Sequence, residues 1–166
     1  MVVNPSGVVC GDAASAYYEN LRKRLIKTPK LFFTDTGLVC HLLGIESADQ
    51  LARDKMRGAL FENCIVMEAV KHRYNRGKES NAFFYRDSNQ NEVDLLLKSN
   101  TALYGIEIKS SMTYHQDFEK SVRQLDKWIN APAAGMAVVY AGTLENRTGE
   151  VKFLNYRHLN EILGHF

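Results

Sequence analysis

Apolar residues recur along this chain at two spacings, and the switch between them marks out its elements. In residues 13–27, Tyr17, Leu21 and Leu25 fall at i, i+4 and i+8, which predicts a helix that Pro29 ends. Leu31-Phe32-Phe33 is a short apolar run. Asp35-Thr36-Gly37 follows it and reads as a helix start capped by Asp35, with Leu38, Leu42 and Leu43 facing inward and Gly44 stopping the helix. From Arg57 to about Tyr74, Phe61, Ile65 and Ala69 share one side of a longer helix, widened by Cys64 and Val70 and closed by Asn75-Arg76-Gly77. The period then shortens to two. Ala82 to Arg86, Glu92 to Lys98 and Leu103 to Lys109 read as strands, the last two joined by a turn at Ser99-Asn100-Thr101-Ala102. Phe118, Val122, Leu125 and Ile129 restore the helical spacing between His115 and about Ile129, until Pro132 and Gly135 break it. Met136 to Tyr140 reads as a buried strand, Val151 to Leu154 as another, and Leu159 to Leu163 as a terminal helix. From residue 57 the order is α-β-β-β-α-β with a strand and helix appended. That order predicts an α/β fold, a mixed sheet flanked by helices, behind an N-terminal helical extension.

Composition narrows the class. The chain has 166 residues, 45% hydrophobic and 24% charged, as in ordinary globular proteins. We expect residues 1–50 to form the extension or a linker and residues 51–166 the main domain. No apolar run is long enough to span a bilayer, and Met1-Val2-Val3-Asn4-Pro5 lacks the pattern of a secretory signal. The three cysteines, Cys10, Cys40 and Cys64, have no metal-ligand spacing, so a reduced, cytoplasmic setting is expected. The net charge is only +2. The basic stretch ending at Lys30 (Arg22, Lys23, Arg24, Lys27) reads either as a solvated face or as a surface that meets phosphate or a partner domain. No Gly-x4-Gly-Lys-[Ser/Thr] occurs, so no nucleotide is expected to bind through a P-loop. The five histidines show no ligand spacing. Asp35-Thr36-Gly37 resembles an aspartic protease loop, but N-capping accounts for the aspartate.

The candidate chemistry lies in the second hairpin. Burying Val93, Leu95 and Leu97 together with Tyr104, Ile106 and Ile108 requires paired residue numbers that sum to an odd value, and 201 fits the four-residue turn. This register sets Asp94 opposite Glu107, with Lys109 two residues along on the same face. Opposed carboxylates repel. A hard divalent ion, Mg²⁺ or Mn²⁺, relieves that repulsion, polarises a phosphoryl oxygen and lowers the pKa of a bound water. Lys109 beside them stays protonated and stabilises charge building on a phosphate. The same residues also fit an ordinary solvent face on which Lys109 neutralises Glu107. Glu62 has Ile65, Val66 and Ala69 as its helical neighbours. It reads either as a carboxylate held by a cation or as an acid favoured in the first turn by the helix dipole.

The motif Asp94-x12-Glu107-Ile108-Lys109, preceded by a helix bearing Glu62, resembles the PD-(D/E)xK, or restriction-endonuclease-like, nuclease superfamily. Further blocks resemble an uncharacterised prokaryotic domain family found C-terminal to the ATPase core of predicted AAA+ ATPases. They are Lys27 to Leu38, Gly58-Ala59-Leu60-Phe61-Glu62-Asn63, Phe84-Tyr85-Arg86-Asp87, Glu92-Val93-Asp94 and Ile106-Glu107-Ile108-Lys109. The resemblance implies a metal-dependent DNA nuclease fold. Asp94 and Glu107 would be metal ligands, Glu62 an auxiliary ligand, Lys109 the catalytic lysine, and an N-terminal ATPase core and DNA the partners. The chain has Val93 where the superfamily has proline. Gln124 and Trp128 only loosely match a Gln-x3-Tyr feature of related nucleases, and Trp128 also fits a core or edge aromatic. The rival expectation is an inactive module that binds nucleic acid or protein on the same fold.

Overall fold

The three strand signals between residues 82 and 109 fold into the middle of a mixed sheet. The computed structural model describes residues 11–16, 30–100, 102–129 and 132–166. Within them the strands are β1 (Gly11–Ala16), β2 (Lys30–Phe33), β3 (Ala82–Arg86), β4 (Glu92–Ser99), β5 (Ala102–Lys109), β6 (Gly135–Tyr140) and β7 (Val151–Asn155). They line up as β2-β1-β3-β4-β5-β6-β7. β3, β4 and β5 form an antiparallel meander, whereas β5, β6 and β7 run parallel. The β5–β6 crossover carries α4 (Lys120–Ile129), entered through a 3₁₀ turn at Gln116–Glu119. The expected α-β-β-β-α-β order from residue 57 is therefore the observed one.

Two apolar layers cover the sheet. On one side, α3 (Arg57–Tyr74) contributes Ile65, Val66, Met67, Ala69 and Val70, and α5 (Asn160–Leu163) contributes Ile162 and Leu163, against Phe84, Leu95, Leu97, Ile106, Ile108 and Val139. On the other, Val122, Leu125 and Ile129 of α4 meet Tyr85, Val93, Leu96, Val138 and Tyr140. The face of α3 that reaches the core includes the expected Ile65, Ala69 and Val70. It is turned toward Val66 and Met67, which leaves Phe61 and Cys64 half-buried. Gly77, at φ 66°, ends the helix region as expected.

The N-terminal part differs from expectation. The helix predicted over residues 13–27 starts where the chain is instead strand β1, and residues 17–29 lie outside the described residues. β1 is sandwiched between antiparallel β2 and parallel β3. Pairing on both edges outweighs the helical preference of its alanines, because tertiary hydrogen bonds override weak propensity. The expected helical extension does hold two short helices, α1 (Thr36–Leu42) and α2 (Ala48–Arg53), but it also adds strands to the sheet. Asp35 caps α1 as expected, its carboxylate accepting the Leu38 N–H at 3.0 Å. Gly44 turns the chain out of the helix at φ 70°. Leu38, Leu42 and Leu43 do not face inward. They are 50%, 72% and 46% exposed, because periodicity tells which residues share a face and not whether anything covers it. No helix among the described residues is long and apolar enough to cross a membrane.

The hairpin register follows the sum of 201 from Leu95↔Ile106 to Ser99↔Ala102 and stops there. On the other edge of β4, Phe83 pairs with Leu96 but Tyr85 pairs with Val93, so Asp94 and Leu95 together oppose Phe84. This β-bulge moves Val93 to the α4 side, whereas Leu95 stays on the α3 side. The pairings expected for Val93 with Ile108 and for Asp94 with Glu107 are therefore not part of the ladder.

Candidate functional site

The bulge re-aims Asp94 at the end of the β4–β5 ladder. Its carboxylate accepts the Ile108 N–H at 2.8 Å, taking the place of a backbone partner. Glu107 follows from β5 and is 5% exposed. One of its oxygens takes the Lys109 ammonium at 2.5 Å. The other, Oε2, is buried without a hydrogen-bond partner among the described residues. Burial pushes the Glu107 pKa well above the usual carboxylate range, and the charge on Asp94 pushes it further, against the pull of Lys109. Burial also raises the pKa of Asp94, with Glu62 adding to it and the Ile108 N–H, Lys109 and Lys30 opposing. Burial alone would discharge Lys109, but Glu107, Asp94 and Glu62 outweigh it and raise its pKa. Lys109 is thus protonated, as its neighbours in the sequence suggested.

Glu62 joins through a different set of contacts. Lys30, at the start of β2, places its ammonium 2.7 Å from the Glu62 carboxylate and against Glu92. Arg86 of β3 grips Glu92 through two bonds, at 2.8 and 3.0 Å. Arg86 is thus spent on Glu92. Lys30 and Arg86 lie 5.5 and 5.9 Å from the ring centroid of the buried Phe84, a cation–π arrangement. Burial works against charge on Lys30 and on Glu92, yet their partners keep both ionised: the Lys30 pKa is raised and the Glu92 pKa lowered. A cavity of about 410 Å³ opens beside these four charged groups.

The four residues singled out in the sequence thus act on one another electrostatically: Glu62 on Asp94, Asp94 on Glu107, and all three on Lys109. Among the described residues no group of three or more His, Cys, Asp or Glu side chains is placed to hold a metal ion together. The Asp94–Glu107 pair instead offers hard oxygen donors, one of them unpartnered and buried. That donor set fits a Mg²⁺-like ion, which takes one or two carboxylates and keeps several waters. Sequence reading did not bring Lys30, Glu92 and Arg86 together with Glu62. The one available signal was that Glu92 stands two residues before Asp94 on the same strand. Gln124 is exposed, and Trp128 stacks on Tyr85 at 5.5 Å, an edge aromatic and not a site residue. Except for Lys30, the basic stretch lies outside the described residues.

Residues 57–159, more than half of the chain, match the model of a domain of unknown function, DUF4143. The chain belongs to the DUF4143 family. The matched span begins with α3 and holds Glu62, Asp94, Glu107 and Lys109. Residues 10–49, which supply Lys30, match a second domain of unknown function, DUF8612. Uncharacterised proteins of Mycobacterium tuberculosis and Mycobacterium bovis are each 28% identical over 126 residues, covering 76% of this chain and 27% of theirs. This DUF4143 chain therefore spans about a quarter of the length of those relatives. No solved structure matches it.

Proposed function

We propose that this DUF4143 chain is a metal-dependent phosphodiesterase domain of the PD-(D/E)xK kind, acting on DNA. The observation that carries the reading is the buried Glu107 carboxylate, with one oxygen unpartnered and the other on Lys109, beside a second carboxylate of raised pKa. Such a pair is costly without a cation. Asp94 and Glu107 are the residues that would hold Mg²⁺ or Mn²⁺. When bound, the ion supplies charge neutralisation, a polarised phosphoryl oxygen and a water of lowered pKa.

The chain's own groups do the rest. Glu107 holds the Lys109 ammonium in place, so its charge is preorganised for the phosphate in the transition state. The Ile108 N–H fixes the orientation of Asp94. The resemblance of the Asp94, Glu107 and Lys109 motif to the superfamily supports the same reading, and the resemblance of further blocks to a family found C-terminal to AAA+ ATPase cores supplies its context. The greater length of the mycobacterial relatives leaves room for an ATPase core.

The test is direct. Purified protein with Mg²⁺ or Mn²⁺ is expected to cut plasmid or single-stranded DNA. Lys109→Ala and Asp94→Asn should each lower the rate by about 100-fold or more, with folding checked by circular dichroism. Cleavage that persists in both variants removes the assignment. DNA binding by wild type without cleavage of any double- or single-stranded substrate would point to a binding module instead.

A further inference from the structure

Lys30 is placed where a metal reading of the site would not put a lysine. It enters from the DUF8612-matched segment, yet its ammonium lies between Glu62 of α3 and Glu92 of β4, both in the DUF4143 part. Its side chain is only 15% exposed, and it also acts electrostatically on Asp94. Glu62, Lys30, Glu92 and Arg86 thus form a chain of alternating charge along the cavity wall.

The charge balance constrains what else can bind. With all groups ionised, four carboxylates (Glu62, Glu92, Asp94 and Glu107) face three cations (Lys30, Arg86 and Lys109), which leaves one net negative charge. One divalent ion turns this into a single positive charge, suited to an anionic phosphodiester. A second ion would overcharge the site. To reach Glu62 it would also have to displace Lys30, leaving a largely buried ammonium with one of its partners gone.

We propose that Lys30 stands in the place of a second metal ion, holding Glu62 out of the ligand set and restricting the Asp94–Glu107 site to one divalent ion. This rests on the reading of Asp94 and Glu107 as metal ligands. Lys30 is then a positioning residue, and its signature is stoichiometry and not rate alone.

The experiment is a Mn²⁺ titration of the full 166-residue chain, with free ion followed by electron paramagnetic resonance. Wild type should bind one ion and Asp94→Asn none. Lys30→Met should release Glu62 and bind two, and adding Glu62→Gln to it should return the count to one. Glu62→Gln alone should keep one ion at an affinity within about threefold of wild type, because no ligand is lost. One ion in Lys30→Met at unchanged affinity overturns the proposal. So does a loss of about tenfold or more in affinity on Glu62→Gln, the size expected for a group that ligates the ion or holds one of its ligands in place. That second arm decides the matter if Lys30→Met does not fold. A wild type that binds no Mn²⁺ fails at the metal reading itself. One ion in wild type, lost in Asp94→Asn, together with either overturning result, removes the Lys30 inference and leaves the metal reading standing.

Discussion

Asp94 and Glu107 are the residues at which this fold works against itself. Both carboxylates are raised, to about 6 and about 7, by burial and by neighbouring negative charge. The sign of the consequence follows from linkage. A group with a raised folded pKa binds more protons folded than unfolded, so its share of stability is present at low pH and is lost as pH rises through the folded value. Metal-free protein should therefore lose thermal stability between about pH 4 and about pH 7. Millimolar Mg²⁺ should restore it at about pH 8 and do little at about pH 4, where the carboxylates are protonated. Melting curves in chelator and in Mg²⁺ across this range check it. A flat metal-free profile would mean that the pair is not strained. The three residues of the motif were legible because local spacing brings them together. The Lys30–Glu62–Glu92 chain was not, because its members meet across 32 and 62 positions of sequence. No periodicity encodes such a contact.

Among the elements, β5 and α4 approach closely beside the site. Gly105 lies under α4, and a Cβ there would sit 2.5 Å from Leu125 Cδ2, which is itself fully buried. Gly105→Ala should cost about 1–3 kcal/mol by overpacking, read as a lower denaturation midpoint, and should disturb the strand that carries Glu107 and Lys109. Most elements could be read in advance where one pattern held throughout, the helical period of α4 or the unbroken apolar run of β6. The exceptions have physical causes. β1, Gly-Asp-Ala-Ala-Ser-Ala, has no apolar alternation and owes its conformation to partners on both sides. The bulge at Asp94 was hidden because Val93, Leu95 and Leu97 alternate as they would in a regular strand. Only the pairing with β3 shows that Val93 belongs to the other face.

At the scale of the molecule, the sheet joins the two family segments. β1 and β2 come from the DUF8612 match and β3 to β7 from the DUF4143 match, and they form one continuous ladder. The element order from residue 57 was legible because each connection is short and local. The way the N-terminal strands join on was not, since it depends on β1 running parallel to β3 with α3 between them in sequence. The site lies where the segments meet: Lys30 from one, the four carboxylates and Lys109 from the other.

The bond from the Ile108 N–H to Asp94 has a practical consequence. An amide that donates to a carboxylate shifts its nuclear magnetic resonance when that carboxylate gains or loses charge. The Ile108 ¹⁵N–¹H cross-peak is therefore a built-in indicator of the site. It should titrate with the proton on Asp94, and a diamagnetic Mg²⁺ titration should move it in step with metal occupancy, with no substrate present. An Ile108 signal that stays fixed while the melting temperature responds to Mg²⁺ would place the ion elsewhere in the protein.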